Sequence, residues 1–553
     1  MTARHNRWKF VSVAVVFFAC ASAAAWHSPA DTYPRQPGVD ALDYAFHLTL
    51  SDETDEIVGE AVVDLRFVTD GINDVALDLA SESGGKGMRV TSVVSGGAPL
   101  RFAHEADRLR ISLSTAPKAG ERRKFTIAYR GIPAGGLRTL KNKFGQRSFF
   151  SENWPNNAHQ WLPMIDHPYD KATSAFIVTA PAKYQVVANG LLQEEVDLGD
   201  GRRLTHWKQS VPISSWLNAL GVAEFAVHHA GTVAGVELQT WVYRQERATG
   251  PAWFEPTARQ AMELFSEMVG PYSYEKLANV EAAGFGGGTE HASAIFYGEN
   301  SILENPATGV MRPGTGLIAH EIAHQWFGNA VTERDWDDVW LSEGFATYFT
   351  LLFTEHYQGR DAFVAGLQRS RETVFTLERR MPGVAVLHDN LANMKNVLNQ
   401  LIYQKGGWTL HMLRAQVGSE RFREGIREYY RRYRNGNAST DDFRRVMEEV
   451  SGADLTWFFR QWLARPGSPV VEGSWQYDAI SHKVTIELTQ AQAGVAYRLP
   501  IEVGVTTDGV LKLEKIELTQ RRQRFEIAAD KAPAAVALDP NTWVLMEQRF
   551  GKQ

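Results

Sequence analysis

His320-Glu321-Ile322-Ala323-His324, followed by Glu343, constrains this 553-residue chain more than any other feature. Two histidines four positions apart leave the same face of an α-helix, about 6 Å apart along its axis. From that face two neutral imidazole nitrogens reach one Zn²⁺ at ~2.0–2.1 Å. The spacing therefore predicts a helix over 314–328, with Leu317, Ile318, Ile322, Ala323 and Trp326 on its apolar side and Gly328-Asn329 as a stop. Glu321 sits one position round the helix, close to the metal but free to hold its water. Taken alone, the pentapeptide also fits two surface histidines on a helix. Eighteen residues separate His324 from Glu343, which opens a second helical run over 341–357. Asp337 and Asp338 just upstream suit a helix N-terminus. Two His and one Glu leave a fourth zinc position open, as a catalytic site needs and a structural site does not.

The rest of the chain divides by the period of its apolar residues, and the fold class expected is a multidomain α+β protein. Residues 40–245 form an N-terminal β domain: Leu42, Tyr44, Phe46, Leu48 and Leu50 alternate, as do Val63, Leu65 and Phe67. An antiparallel saddle or sandwich follows. Near residue 252 the period becomes helical, with Phe254, Ala258, Met262, Phe265 and Val269 in step and Pro256 near the first turn. Most of 246–465 reads as helix, including 361–380, 395–417, 419–434 and 440–450. Arg465-Pro466-Gly467-Ser468-Pro469 reads as a linker. In 467–553 alternation returns at Val484, Ile486 and Leu488 and at Leu499, Ile501, Val503 and Val505, the pattern of a small C-terminal β-sandwich.

Charge and cysteine usage narrow the setting. A net charge of −6 without a Lys/Arg-rich run gives no footprint for nucleic acid. Arg4, Arg7 and Lys9 precede an apolar run, Phe10–Ala25, whose end is crowded with small residues. This is the layout of a signal peptide over 1–25, which points to export to the periplasm or medium. An uncleaved anchor, or a lipid on Cys20, is an alternative use of the same segment. Cys20 is the only cysteine, so a disulfide framework is excluded. No second apolar stretch is long enough to span a membrane after cleavage, and no sequence feature sets an oligomeric state.

With four segments in order, the chain resembles the gluzincin aminopeptidases of the aminopeptidase N family. The zinc motif with its spacing to Glu343 is the first. Gly287-Gly288-Thr289-Glu290-His291 resembles the family's Gly-x-Met-Glu-Asn exopeptidase motif, with Thr289 and His291 departing from it. Tyr403-Gln404-Lys405-Gly406 resembles its Tyr-x-Lys-Gly segment, and Trp161-Leu162-Pro163-Met164-Ile165-Asp166-His167-Pro168 with Lys171-Ala172 resembles an edge of its saddle domain. The resemblance covers about 40–550 and implies a thermolysin-like catalytic domain over 246–465. The family's large C-terminal helical domain is expected to be missing here.

The resemblance implies one Zn²⁺ held by His320, His324 and Glu343, with peptides bearing a free N-terminal amine as substrates. Glu321 would be the general base and Tyr403 the donor to the oxyanion. Glu290, aided by Gly287 and Gly288, would read the substrate amine, with Glu152 as a second carboxylate from the N-terminal domain. Three other readings share part of this pattern: a zinc endopeptidase, an epoxide hydrolase related to leukotriene hydrolases, and a non-catalytic peptide-binding protein on the same scaffold.

Overall fold

The structure is a computed structural model that describes residues 31–301, 314–387, 391 and 394–553. The expected signal segment and Cys20 lie outside the described residues.

Three sheets make up the N-terminal β-rich domain. The largest has eight strands in the order 191–197, 202–214, 171–181, 39–49, 57–67, 122–132, 87–95 and 98–99. Val63, Leu65 and Phe67 are all fully buried, as their alternation requires. The alternation from Leu42 to Leu50 holds only in part. A bulge between Ala41 and Asp43 inserts an extra residue, so Ala41 turns inward and Leu42 is half-buried. The sheet is also not wholly antiparallel: Asp43–Thr49 pairs in parallel with Thr173–Thr179. Parallel neighbours need a long crossover, and the two smaller sheets near 74–112 and 137–223 fall partly or wholly within that crossover.

A five-stranded sheet follows in the order 225–233, 236–243, 276–282, 294–298 and 288–289. Its strands 276–282 and 294–298 lie in a stretch that reads as mostly helical by sequence. Their pairing explains why: they are parallel, and every residue of both is buried. A sheet covered on both faces shows no alternation of polar and apolar residues. Leu277, Ile295 and Tyr297 face the core built with the helices, whereas Ala278, Val280 and Phe296 face the core of the N-terminal β domain. Gly288–Thr289 forms one edge of this sheet.

Helices build the core on the first of those faces: α1 (Gly250–Met268), α2 (Thr315–His324), α3 (Trp340–Gln358), α4 (Arg360–Arg380), α5 (Gln400–Val417), α6 (Ser419–Tyr433) and α7 (Thr440–Ser451). Three boundaries differ from the sequence reading. α1 starts earlier, with Pro251 in its first turn, so Pro256 falls in the interior and leaves a carbonyl one turn back without its usual partner. α2 stops at His324, because Gln325 and Trp326 bond to carbonyls three residues back and Gly328, at φ +106°, turns the chain. α5 starts at Gln400 rather than 395, where Asn399 Oδ1 accepts from Leu401 N at 3.0 Å.

The C-terminal β-sheets have four strands (522–528, 483–490, 470–478, 547–552) and three (510–518, 499–507, 535–538). Their buried residues Ile486, Leu488, Ile501 and Val503 join the same apolar core as the helices. Among the described residues no helix is long and apolar enough to cross a membrane.

Candidate metal centre and substrate cavity

α2 and α3 bring three ligand atoms together. His320 Nε2 and His324 Nε2 are 3.1 Å apart. Glu343 Oε2 lies 3.4 Å from the first and 3.3 Å from the second. A tetrahedral zinc with ~2.0–2.1 Å bonds needs ligand atoms ~3.3–3.4 Å apart, so the triangle fits the ion without rearrangement. Among the described residues Glu343 Oε2 is buried without a hydrogen-bond donor, an expensive state for a carboxylate oxygen unless a cation meets it.

The surroundings fix the ligands. The Nδ1 of His324 lies 3.0 Å from Ser342 Oγ and 3.2 Å from the Phe327 carbonyl. A carbonyl only accepts, so Nδ1 carries the proton and Nε2 keeps its lone pair for the metal. Burial disfavours a charged His324, but Glu290 and Glu343 outweigh it and raise its pKa to about 10. Burial likewise works against an ionised Glu343, and His324 and His320 overcome it, holding that carboxyl low. The site thus draws positive charge strongly, as a divalent cation requires.

Glu321 faces the same space but is not part of the triangle. Burial, then the Glu290 carboxylate, pushes its pKa well above the ordinary value. One oxygen each of Glu290 and Glu321 and one nitrogen of His324 lie within 4.8 Å of one another. The carboxyl of Glu321 rests on Gly288: a Cβ there would fall 2.4 Å from Glu321 Oε1. Having no side chain, Gly288 makes room for the base itself. Gly287 does face open space.

Glu290 follows the edge strand 288–289 and is buried. Its carbonyl is clamped by Gln325 Nε2 at 3.0 Å and Asn329 Nδ2 at 2.5 Å. Gln325 Oε1 also accepts from Ser293 N at 3.0 Å and Tyr272 OH at 3.2 Å. The residue after the zinc helix therefore sets where the 290–293 turn lies. Sequence reasoning missed Gln325, Asn329 and Ser342; adjacency to His324 and Glu343 is the only signal that marks them. Lys171, from the N-terminal β domain, donates to the carbonyls of Asn329 and Ala330 at 2.9 and 3.2 Å. Thus the saddle-edge segment reaches the loop that holds Glu290. His291 is fully buried with neither ring nitrogen hydrogen-bonded among the described residues.

Tyr403 arrives from α5. Gly344, just after Glu343, and Gly406 let α3 and α5 touch by backbone: a Cβ on either would fall 3.0 Å from the other's backbone. That contact puts the Tyr403 hydroxyl 2.7 Å from Glu343 Oε1, to which it donates. Burial and then the Glu343 charge hold the Tyr403 hydroxyl protonated at any ordinary pH. Asp338, expected to favour the start of α3, instead accepts from Thr440 N at 3.0 Å and from its hydroxyl. The residue before α3 is Val339, which makes no side-chain cap.

These groups line one cavity of about 760 Å³. Glu152 lines it too, half-buried and ion-paired with Arg138; burial raises its pKa and Arg138 opposes the shift. Of the candidate metal-ligating, catalytic and substrate-binding residues, all but Gly287 line this cavity.

Two family models match the chain: the peptidase M1 N-terminal domain over residues 40–217 and the peptidase family M1 domain over 254–462. The chain belongs to peptidase family M1, the gluzincin family of aminopeptidase N, a zinc-dependent family whose ligand chemistry the triangle fits. Glutamyl aminopeptidase of Sus scrofa is 28% identical over 372 residues, covering 64% of this chain and 39% of the pig protein. Tricorn protease-interacting factor F2 of Thermoplasma acidophilum is 28% identical over 333 residues, 57% of this chain and 40% of that protein. The chain thus spans about two fifths of the length of these relatives. The crystal structure of an M1 zinc metallopeptidase from Deinococcus radiodurans shares the fold, with a TM-score of 0.66 at 24% identity over 78% of this chain and 95% of that one.

Proposed function

We propose that the chain is a zinc-dependent aminopeptidase that releases single residues from peptide N-termini. The observation that carries this reading is the position of Glu290, a buried carboxylate within 4.8 Å of Glu321 and His324. A negative group so close to the scissile position favours a substrate whose α-ammonium lies there, and it fixes how far the chain can enter. An endopeptidase has no use for it.

Bound Zn²⁺ would supply a water of lowered pKa and polarise the scissile carbonyl. Glu321 accepts the attacking water's proton at its carboxylate and passes it to the nitrogen of the leaving amine. Its raised pKa suits that exchange better than an ordinary carboxylate's would. The Tyr403 hydroxyl, now donating to Glu343 Oε1, turns its proton to the oxygen of the tetrahedral intermediate. Glu152, ion-paired with Arg138, gives the same cavity a further carboxylate from the N-terminal β domain.

The test is hydrolysis of aminoacyl-nitroanilides with free and acetylated amines, with and without a zinc chelator. Chelator-sensitive cleavage of the free-amine set alone is the expected result. Cleavage of both sets would replace this reading with an endopeptidase. We further propose export to the periplasm or medium through residues 1–25, on the basis of Arg4, Arg7 and Lys9 before the apolar run. N-terminal sequencing of the expressed protein should start after Ala23 or Ala25; an intact Met1 would refute it.

A further inference from the structure

The cavity is charged asymmetrically. Around the metal centre stand Glu152, Glu290, Glu321 and Glu343, all of them carboxylates. The one Lys or Arg side chain that lines it, among the described residues, is Arg369 on α4. Glu152 already has Arg138, and no described carboxylate pairs with Arg369. Ser370, next to it on the same wall, is buried, and its hydroxyl has no hydrogen-bond partner among the described residues. A guanidinium and a hydroxyl that no described group pairs with, side by side on a substrate cavity, are a ready carboxylate receptor.

Their distance from the metal centre can be read along α3. A Cβ on Gly366 would fall 2.6 Å from Leu351 Cδ2 and 3.9 Å from Arg369 Nη2, so the guanidinium lies over the Leu351 end of α3. Leu351 follows Glu343 by eight residues, which is about 12 Å of helix. An extended peptide advances about 3.5 Å per residue, so two to three residues beyond the scissile bond, plus a hydrogen bond of about 3 Å to the guanidinium, fill that gap.

We propose that Arg369, with Ser370, binds a carboxylate on the leaving-group side of the substrate, making peptides of about three to four residues with a free C-terminus the favoured ones. The cavity then reads both ends of a short zwitterionic peptide, the amine through Glu290 and the carboxylate through Arg369. This rests on the aminopeptidase reading above. Arg369 is exposed, so replacing it removes the charge without opening the core.

The test compares tri- and tetra-alanine as free acids and as C-terminal amides, on the zinc-loaded wild type, Arg369→Gln and Arg369→Lys. On the wild type, amidation should raise KM about ten-fold with little change in kcat. On Arg369→Gln the KM of the free acid should rise to that of the amide, and Arg369→Lys should recover part of the difference. Aminoacyl-nitroanilides, which carry no carboxylate, should be cleaved equally by wild type and Arg369→Gln. An amide ending in Glu separates the sources: recovery of low KM means that any carboxylate at that depth is read, and failure means the C-terminus itself. Equal KM for acids and amides on the wild type would overturn the proposal while leaving the aminopeptidase reading intact. Calorimetric binding of the same peptides to Glu321→Gln, with and without Arg369→Gln, decides Arg369 even if no peptide is turned over. Equal affinities there would overturn it.

Discussion

The Tyr403 hydroxyl donates to Oε1 of Glu343 at 2.7 Å, while Oε2 of the same carboxylate closes the triangle with His320 and His324. One side chain therefore serves the metal with one oxygen and holds the proposed oxyanion donor with the other. Tyr403→Phe removes that donor and leaves Oε2 in place. The expected result is a fall in kcat of roughly 10²–10³-fold with zinc content and KM close to wild type. A rise in KM alone would mean that Tyr403 binds substrate and does not serve the oxyanion.

Glu321→Gln keeps the shape of the side chain on Gly288 but cannot take a proton. Stoichiometric zinc with roughly 10²–10⁴-fold slower turnover is expected. Turnover near that of the wild type would remove Glu321 as the base.

Gly288→Ala attacks the same group from the opposite side. The added methyl would lie 2.4 Å from Glu321 Oε1, so the carboxyl must move. A loss of kcat approaching that of Glu321→Gln, with zinc retained, is expected, whereas Gly287→Ala, which meets open space, should be nearly silent. Equal effects of the two would show that Glu321 does not need its seat.

Glu290→Gln should raise KM for free-amine substrates and shrink their advantage over acetylated ones. A change confined to kcat, with the preference kept, would place amine recognition elsewhere.

His291 gives the molecule an acid weakness. Burial pushes its pKa from 6.5 to about 3, and the same holds for His411. Between those values the unfolded chain binds a proton at each site that the folded chain refuses. Stability is therefore full above about pH 6.5 and falls on acidification, by up to ~1.4 kcal/mol per pH unit for each histidine. Urea unfolding at pH 7 and pH 5 measures the loss, and His291→Leu should reduce it. An unchanged slope would mean that His291 finds a partner for its proton.

What the sequence made legible follows from how local each signal is. The zinc helix and the position of Glu343 rest on helical spacing, which a reader can count. The strands 276–282 and 294–298 were hidden, because burial on two faces erases alternation. The bulge at Ala41 is a one-residue shift of register, and the early end of α2 rests on two hydrogen bonds and the turn at Gly328; no period records either. Glu290 and Tyr403 were found only through family resemblance, and Gln325, which seats the turn after Glu290, was not found at all. Its role exists only because the loop after α2 meets a turn some 30 residues earlier, and contacts of that kind leave no local mark.

The seat that Gly288 provides for Glu321 also limits how this chain can change over generations. If Glu321 were lost first, the vacated volume would accept a side chain at 288 without penalty. Once one had settled there, restoring the glutamate alone would bring it into collision, so the glycine would have to return before the base could. Loss of the base would then be reversible in one order only, and the pair 288 and 321 together would tell a lineage that still cleaves from one that has only kept the scaffold.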